Sequence, residues 1–417
     1  MSETMKVDTL VVGGGIAGMT VAIETSEVGK KALLVERQPS IGGRIIASNQ
    51  YFPKLCPPAC GMEINLKRIR ANPLVEVLTL ATVEKITGSD GNYEVEIKLN
   101  PRYVNEKCTG CGDCATVCDI ERDNELNLGL NKTKAAYIPH LMAYPFRYVI
   151  DPKHVKDEGM KKCVDACKYN AIELDMQPKT IKVQAGAVVW ATGWKPYDAK
   201  KLDRLGFGKY PNVLTNVMME RYASANGPTN GKIVRPSDQK EISKIGFVQC
   251  AGSRDDNHLP YCSAVCCLAS MKQATYIRER YPEAEIHIFY IDVRSPGRME
   301  DFYMKAQEDT KLFFHRGKVG KITETASKNL ILEAENTLTG EIAKTEVDMA
   351  VLATGMVPNT LDEPPLIDTQ RDEYGFIVAD SKGVIGAGTS VRPLDVSTSI
   401  QDATGAALKA MIAAGGK

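Results

Sequence analysis

The sequence predicts an α/β protein with two dinucleotide-binding modules, the first of which is interrupted by a cysteine-rich α+β insertion. Three observations predict this fold: a glycine-rich turn after the first apolar strand, two copies of a strand ending in Ala-Thr-Gly, and a compact run of four cysteines between segments with strand periodicity. We expect the first module to comprise 1–100, 179–240 (the end of a meander and a linker) and 351–417, with the insertion at 101–178 and the second module at 241–350.

The first module opens with the pattern of a dinucleotide-binding turn. An apolar strand at Thr9–Val12 runs into a glycine-rich turn, and a helical pattern, a second strand at Ala32–Val35 and the acid Glu36 follow in that order. This order predicts a pyrophosphate at the helix N-terminus, because the free N–H groups there point at the phosphates. The turn consists of Gly13, Gly14, Gly15, Ile16, Ala17 and Gly18.

The glycines of this turn have distinct roles. Gly13 permits the tight turn, Gly15 lets the backbone approach the pyrophosphate, and Gly18 lets helix and strand pack closely. Glu36 lies eighteen residues after Gly18, where an acid would bind a ribose hydroxyl. The spacing therefore predicts a complete nucleotide site.

A second glycine loop narrows the choice of dinucleotide. Glu36 is followed by Arg37, and the loop Gly42-Gly43-Arg44 comes shortly afterwards. An acid–arginine pair followed by Gly-Gly-Arg resembles the two-dinucleotide flavoproteins of the disulfide and thioredoxin reductase type. The resemblance implies that the dinucleotide is FAD and that these residues line its site.

Composition excludes several classes of function. The chain has 417 residues, with 52 Lys and Arg against 52 Asp and Glu, so no net charge attracts nucleic acid or an anionic membrane. Its apolar runs are shorter than the ~20 residues of a membrane-spanning helix, and no signal peptide precedes the first strand. We therefore expect a cytoplasmic protein that reaches a membrane only through partner subunits. Its 12 cysteines then favour metal or redox chemistry over structural disulfides.

A cysteine pair, Cys56 and Cys60, follows the second glycine loop. Disulfide reductases keep a redox-active pair in this position, but they separate the two cysteines by four residues, whereas three separate them here, two of which are prolines. The pair is a candidate catalytic dithiol. An extra cluster ligand and a pair of structural thiols are the alternatives.

Strand periodicity resumes beyond residue 75 and indicates a β-meander. Residues 101–178 interrupt it, and Val83, in one of its strands, is included in the predicted FAD site. The predicted strands lie at Val75–Leu80, Val83–Thr87, Tyr93–Lys98, Thr180–Val183 and Ala187–Trp190.

One strand ending occurs twice. Val188–Pro196 and Ala350–Pro358 share an apolar strand, Ala-Thr-Gly and a following proline. Two such endings imply two nucleotide-fold modules. The first copy places Thr192 and Gly193 in the predicted FAD site.

The insertion carries the most specific motif. Its first three cysteines have the spacing of ligands to one [4Fe–4S] cluster, and the fourth cysteine of such a run serves a second cluster. The insertion is therefore predicted to be a ferredoxin-like α+β domain. A zinc site would use the same thiolates, although zinc sites seldom show this run. The C-x2-C-x2-C-x3-C spacing is formed by Cys108, Cys111, Cys114 and Cys118.

The partner run that a two-cluster ferredoxin needs is incomplete. Asp157 and Met160 stand where its first two cysteines should be, and Cys163 and Cys167 remain. Carboxylate and thioether are poor substitutes for two thiolates, so we expect only one [4Fe–4S] centre in the insertion. Its complete ligand set is Cys108, Cys111, Cys114 and Cys167.

The second module has cysteines where a glycine turn would bind a nucleotide. Its first strand, Ile245–Gln249, runs into Cys250-Ala251-Gly252-Ser253-Arg254, and a predicted helix ends near Arg280. Only Gly252 remains of a dinucleotide motif, so we expect NAD(P)H binding to be lost. Four cysteines suffice for a second [4Fe–4S] centre, although adjacent helical residues could share it only at a distorted helix start. Buried unpaired thiols are the alternative for Cys250, Cys262, Cys266 and Cys267.

These motifs together resemble a known family over nearly the whole chain. The strand followed by Cys-x-Gly-Ser-Arg, the Tyr-Cys-Ser-x-x-Cys-Cys of residues 261–267, Gly388-Thr389 and Asp395–Ser399 are similar to the A subunits of heterodisulfide reductases. More closely, the chain resembles the A subunit of the quinone-modifying oxidoreductase complex of sulfate reducers. That subunit lacks the terminal ferredoxin domains of the methanogen subunits.

The resemblance implies further residues of the flavin site. Related flavoproteins end their last strand in Gly-Asp, and Gly388 and Thr389 take that position here. The next helix begins near residues 397–400, so Ser399 and Ile400 would face the flavin pyrimidine. The dipole of this helix would favour a reduced, anionic flavin.

We therefore expect an electron-transfer subunit with FAD and two [4Fe–4S] centres. The resemblance implies partner subunits of a heterodisulfide reductase-like or quinone-modifying complex in dissimilatory sulfur metabolism, including a membrane subunit and a second subunit with flavin and iron–sulfur centres. One alternative is a self-sufficient NAD(P)H-dependent disulfide reductase that uses Cys56 and Cys60. Another is a non-catalytic scaffold that binds FAD for stability.

Overall fold

The computed structural model describes residues 4–52, 54–89, 91–380 and 383–415. Helices α1 and α2 connect parallel strands, as crossovers in a nucleotide-binding sheet do, and the strand–helix–strand order predicted for the first module is confirmed. The first elements are β1 (Met5–Val12), α1 (Ile16–Glu27), β2 (Ala32–Glu36), α2 (Pro58–Ala71), β3 (Val75–Thr79), β4 (Ala81–Ser89) and β5 (Asn92–Leu99).

The insertion folds as short helices and strands around a small core, in agreement with the predicted α+β class. Strands β6 and β7 pair antiparallel, as do β8 and β9, and α3 packs against α4. Its elements are α3 (Asp113–Val117), β6 (Glu121–Asp123), β7 (Lys132–Lys134), β8 (Ala136–Tyr137), β9 (Val149–Ile150) and α4 (Met160–Asp165).

Strand β10 (Lys179–Trp190) returns the chain to the first sheet. The sequence predicts two strands here, whereas the structure has a single strand of 12 residues. Gln184 and its neighbours stay extended because they pair on both sides, with Lys6 of β1 and Glu94 of β5. One strand therefore joins the antiparallel β4–β5 hairpin to the parallel sheet, whose order is β3-β2-β1-β10.

The short strand β11 (Trp194–Pro196) leads to the second module. Its central sheet is parallel, in the order β12-β19-β13-β14-β15, and β16, β17 and β18 form a separate antiparallel sheet. The elements are β12 (Val213–Thr215), α5 (Asn216–Ala223), β13 (Lys244–Ala251), α6 (Cys266–Arg280), β14 (Glu285–Tyr290), α7 (Met299–Gln307), β15 (Leu312–Arg316), β16 (Val319–Glu324), β17 (Leu330–Glu335), β18 (Ile342–Val347) and β19 (Met349–Thr354).

Two boundaries of the second module lie elsewhere in the structure than the sequence predicts. The sequence places this module at 241–350, but β12 and the whole of β19 pair within its sheet. The stretch 223–232, which has the composition of a linker, joins α5 to β13 inside the module. It is tightly packed, since a Cβ on Gly227 would lie 1.7 Å from Arg221 O. Turns rather than apolar periodicity fix this stretch, so the sequence pattern does not reveal it.

The last elements complete the first module. Strand β23 pairs parallel with β10, and α8 packs against α1. The two repeated strand endings lie in different sheets, and β11 and β20, which follow them, pair antiparallel with each other. The repeat therefore marks where the chain enters the second module and where it returns. These elements are β20 (Met356–Pro358), β21 (Gln370–Arg371), β22 (Ile377–Ala379), β23 (Val384–Gly386) and α8 (Val396–Gly415).

Three parts of the chain meet at Arg221 on α5, whose side chain is among the largest that are fully buried. Its guanidinium donates to Asn127 Oδ1 of the insertion at 2.8 Å, to Ala47 O of the first module at 3.1 Å and to Asn226 Oδ1 of the second module at 2.7 Å. Burial lowers the pKa of Arg221 to about 10, which leaves it charged at neutral pH. The three parts therefore share one buried cation.

A buried ion pair supports the same contact. Lys272 of α6 pairs with Glu220 at 3.0 Å and donates to Gln50 O at 2.6 Å. Glu220 also accepts from Asn49 N at 2.9 Å. The loop after the second glycine motif is therefore held against α5 and α6 through its backbone.

Replacing Arg221 with leucine should lower the free energy of unfolding by about 3 kcal/mol, because several buried acceptors lose their donor. Urea unfolding of the variant and the unmodified chain measures this difference. The control is Arg68→Gln, which removes an exposed arginine paired with Glu27 at 2.8 Å and should change stability by less than about 1 kcal/mol. Equal, small effects of the two substitutions would contradict the role of Arg221.

Candidate functional site

Two glycines of the first turn are required by the protein backbone itself. Gly13 has a φ of +108°, and a Cβ there would lie 2.4 Å from Ala191 O. A Cβ on Gly18 would lie 1.8 Å from Gly13 O. These two glycines let β1, α1 and β10 approach one another, as the spacing predicts.

Gly15 differs from them because no protein atom requires a glycine at this position. Its φ of −74° suits any residue, and a Cβ there would meet only Gly43 Cα, at 3.9 Å. Gly15 is the N-cap of α1 and has no side chain that could accept a hydrogen bond from the first N–H groups of the helix. The second glycine loop lies alongside, since Gly42 N donates to Gly14 O at 2.8 Å. A glycine at an open helix N-terminus fits the close approach of a phosphate.

The other predicted loops converge on the same helix terminus. A Cβ on Gly388 would lie 2.7 Å from Ala17 Cβ and 3.8 Å from Ser399 Cβ. A Cβ on Gly193 would lie 3.9 Å from Thr389 Oγ1. The starts of α1 and α8 and the ends of β10 and β23 are therefore brought together from distant parts of the sequence.

Glu36 lies at the end of β2 with its carboxylate buried. The carboxylate accepts from Gly14 N at 2.6 Å and from Gln38 N at 2.8 Å. Burial raises the pKa of Glu36, and these two hydrogen bonds oppose the shift. Each oxygen retains a free lone pair, so Glu36 can also accept from a ribose hydroxyl.

Arg44 is held by Trp194, a residue that the sequence analysis did not identify. Arg44 Nε donates to Trp194 O at 2.6 Å, and the guanidinium lies 4.6 Å from the centre of the Trp194 ring. Burial lowers the pKa of Arg44 to about 10, so it keeps its charge at neutral pH. Within the described part of the chain it forms no ion pair with a carboxylate, which leaves it available to an anionic ligand. The position of Trp194, directly after the repeated Ala-Thr-Gly, is the signal that points to it.

Two further residues fix the loop after β10. Ser390 Oγ accepts from Gly193 N at 3.2 Å, and Asn359 Nδ2 donates to Thr192 O at 2.7 Å. Both contacts are made to the backbone of the predicted site residues. Such contacts depend on the tertiary fold and leave no pattern in the sequence.

Three predicted site residues have other surroundings. Arg37 forms an exposed ion pair with both carboxylate oxygens of Glu363, at 2.5 and 2.7 Å. Val83 pairs with Ile97 and packs beside the core of the β4–β5 hairpin. Ile400 is on the first turns of α8 and is 37% exposed. Their contact with a flavin stays a prediction.

In the insertion, the four predicted cluster ligands line one pocket with Tyr148 and Tyr169. Burial, together with the neighbouring cysteines, raises the pKa of Cys114 to about 12. Iron binding would displace these protons, because thiolates are the ligands. The residues brought together are Cys108, Cys111, Cys114 and Cys167.

The position that a second cluster of the insertion would occupy is filled by apolar packing. Cys118 and Cys163 are buried within hydrogen-bonding reach of each other, and Met160 is fully buried in the same core. Asp157 turns outward and pairs with His154 at 2.9 Å. The residues present therefore do not fit a second cluster in the insertion.

The cysteines of the second module come together where β13 ends and α6 begins. Cys250 has a left-handed φ of +55°, and the left-handed Ala264 precedes α6, so the start of this helix is distorted. The intervening loop is fixed by Ser263, whose hydroxyl lies 2.9 Å from Ser253 Oγ and accepts from Met356 N at 2.9 Å. The loop is therefore anchored to the chain that returns from β19.

Burial and the neighbouring cysteines raise the pKa values of three of these thiols. Burial, together with the neighbouring Cys267 and Cys262, raises the pKa of Cys250 to about 11. The pKa values of Cys266 and Cys267 are also raised, first by burial and then by neighbouring thiolates. The four predicted ligands therefore lie within electrostatic range of one another.

The geometry of both cysteine sets differs from that of a mononuclear site. Among the described residues, no three His, Cys, Asp or Glu side chains lie close enough together to hold a single metal ion. Zinc binds its thiolates at about 2.3 Å from one centre. A [4Fe–4S] cubane binds one thiolate at each of its four irons. Its four thiolates therefore lie farther apart than those around a single metal ion.

Cys56 and Cys60 also come together. The backbone of Cys56 bridges to Tyr51, Cys60 lies in the first turn of α2, and the two thiols are within hydrogen-bonding reach. Partial burial and the neighbouring thiol raise the pKa of Cys56. A thiol with a raised pKa is a weaker nucleophile at neutral pH than an activated catalytic cysteine.

Comparison with solved structures supports the predicted fold. The chain aligns with thioredoxin reductase from T. acidophilum at a TM-score of 0.52 and 14% identity, over 98% of this chain and 97% of that one. Lactococcus lactis thioredoxin reductase aligns at a TM-score of 0.51 and 15% identity, over 99% and 100%. A family model described as an NAD(P)-binding Rossmann-like domain matches residues 11–64. The two-module nucleotide-binding fold is therefore confirmed.

Much higher identity is found with curated relatives. The chain is 39% identical to the second CoB–CoM heterodisulfide reductase iron–sulfur A subunit of Methanopyrus kandleri, over 99% of this chain and 65% of the relative. It is also 39% identical to the corresponding A subunit of Methanocaldococcus jannaschii, over 95% of this chain and 63% of the relative. The chain thus spans slightly less than two thirds of the length of these relatives. In the described part of the chain, no helix is long and apolar enough to cross a membrane.

Replacing Gly15 with valine should abolish FAD binding without unfolding the chain, because the side chain would occupy the position of the pyrophosphate. The flavin absorbance per purified chain measures the loss, and circular dichroism checks the fold. Gly320→Val is the control, since a Cβ at Gly320 meets no atom within 4 Å. Stoichiometric FAD in the Gly15 variant would refute the assignment of this turn.

Proposed function

The chain is a homologue of the heterodisulfide reductase A subunits, and we propose on this basis that it is an electron-transfer subunit that carries FAD and two [4Fe–4S] centres. The observation that supports this most strongly is the pocket in the insertion. Cys167 lies far along the sequence from the C-x2-C-x2-C run, yet it lines the same pocket as the first three cysteines of that run. A shared pocket is what a four-thiolate cluster requires.

Different residues of the first module would bind different groups of FAD. The N-terminus of α1 at Gly15 binds the pyrophosphate, and Glu36 orients the ribose. Arg44, stacked on Trp194, neutralises negative charge on the cofactor. Bound FAD would supply the exchange between two-electron and one-electron steps, and the clusters would carry single electrons.

The finer identity of the complex is part of the proposal. The resemblance to the A subunit of quinone-modifying oxidoreductases leads us to propose a cytoplasmic subunit in dissimilatory sulfur metabolism. Its partners would include a membrane subunit and a second subunit with flavin and iron–sulfur centres. Purification of the native complex and identification of its subunits by mass spectrometry tests this assignment.

Anaerobically reconstituted protein should hold about eight irons per chain, because two complete cysteine sets exist and a cubane contains four irons. Cys111→Ser should remove the four irons of the insertion, and Cys266→Ser the four of the second module. Cys118→Ser is the matched control, since this cysteine lies within hydrogen-bonding reach of Cys163 and belongs to neither predicted ligand set. Iron analysis together with EPR spectroscopy of the reduced protein measures the content.

Two results would contradict this count. Twelve irons would mean that the insertion keeps its second cluster with ligands from elsewhere, and Cys56 and Cys60 would be the first to test. Four irons, unaffected by Cys266→Ser, would mean that the cysteines of the second module are structural thiols.

A second candidate function is dithiol–disulfide exchange at Cys56 and Cys60, which is favoured by the proximity of their thiols. As a self-sufficient reductase, the chain would need a nicotinamide site in the second module. There, Gly252 lies under the ring of Tyr197, since a Cβ on Gly252 would be 2.5 Å from Tyr197 Cδ1. This packing leaves little room for a pyrophosphate at the loop.

NADH and NADPH should therefore not reduce the flavin at a useful rate. Anaerobic stopped-flow absorbance at the flavin band measures the reaction, and dithionite serves as the positive control for a reducible flavin. Rapid bleaching by micromolar NADH or NADPH would favour the disulfide reductase function instead.

A further inference from the structure

An ion-paired group of three side chains lies beside the cysteines of the second module. Asp292, in the loop after β14, pairs with Arg254 at 2.5 Å and with Arg294 at 3.4 Å. We refer to Arg254, Asp292 and Arg294 as the arginine triad. Two guanidinium groups share one carboxylate, so the triad carries a net positive charge.

The backbone on either side of the triad lies beside the thiols. Arg254 follows Cys250 by four residues, and Arg254 N donates to O of Tyr261, the residue before Cys262, at 3.2 Å. The backbone N–H of Arg294 donates to the sulfur of Cys267, whose own thiol donates to the backbone O of Asp292 at 3.7 Å. Three of the four predicted ligands therefore lie next to the loop segments that carry these charged side chains.

We propose that the arginine triad raises the reduction potential of the centre held by Cys250, Cys262, Cys266 and Cys267. The inference rests on the proposed function, which places a four-thiolate cluster at these residues. Reduction adds one electron to a centre that four thiolates already make anionic, and no bond forms or breaks. A fixed positive charge nearby stabilises the reduced state more than the oxidised state, and so favours electron uptake.

The three charges should contribute unequally. The Arg254 side chain is 23% exposed, whereas Asp292 is 45% and Arg294 is 50% exposed. Water and salt screen exposed charges more strongly than buried ones. Arg254 is therefore expected to have a larger effect on the potential than Arg294.

Two substitutions break the same ion pair with opposite changes of charge. Arg254→Gln removes a positive charge and should shift the midpoint potential of this centre to a more negative value. Asp292→Asn removes the negative charge and should shift it to a more positive value. An anaerobic redox titration of the reconstituted full chain, followed by EPR spectroscopy, measures both shifts. Arg254→Lys keeps the charge and should shift the potential less than Arg254→Gln.

The opposite signs distinguish an electrostatic role from a structural one, because loss of the ion pair as a packing contact would move both potentials in the same direction. Arg68→Gln, far along the chain in a different ion pair, is the control for a general effect of losing an arginine. The centre of the insertion should keep its potential in every variant. If Arg254→Gln loses iron, Arg254→Lys and Asp292→Asn still provide the test.

Equal signs, or unchanged potentials in variants that retain their iron, would overturn the inference and leave the proposed function standing. Failure of the proposed function has a different signature, namely iron content of the unmodified chain that does not respond to Cys266→Ser. In that case no centre exists at these cysteines, and the inference falls with it.

Discussion

One buried guanidinium, that of Arg221, joins three parts of this chain through its hydrogen bonds. A charge removed from water costs several kcal/mol unless hydrogen bonds replace the lost hydration. The oxygens that accept hydrogen bonds from Arg221 belong to the insertion, to the loop after the second glycine motif and to the second module itself. None of these parts can move far without leaving a buried donor unpaired. This junction therefore helps to hold the insertion and the loop after the second glycine motif against the second module.

Cysteines have three different surroundings in this chain, and these surroundings decide what each cysteine can do. Cys114 shares a pocket with three other cysteines, which suits a cluster. Cys118, only four residues away, faces an apolar core with Met160 and Cys163, which suits burial as a small hydrophobic side chain. Cys250 belongs to the second predicted ligand set and precedes by four residues Arg254, which pairs with Asp292. Spacing alone therefore indicates where metal chemistry is possible, and packing decides where it is complete.

The residues predicted to bind flavin come together where the chain leaves and re-enters the first module. The two repeated endings let β11 and β20 pair antiparallel, and this pair connects the two nucleotide-type sheets. Gly193 follows the first ending, and Asn359 follows the second and donates to Thr192 O. An internal repeat thus has a direct structural consequence, since both passages between the modules run beside the loops that are predicted to bind the cofactor.

The sequence alone determined the features that depend on neighbouring residues. The turn around Gly13 and the C-x2-C-x2-C run need only a few residues at fixed spacing, because local backbone geometry positions them. The tertiary structure decided the rest: the place of Trp194 under Arg44, the boundaries around β12 and β19, and the packing of Met160 where a cluster ligand would be. These features arise between segments that are distant along the chain. Burial, not spacing, selects them, and burial is a property of the whole fold.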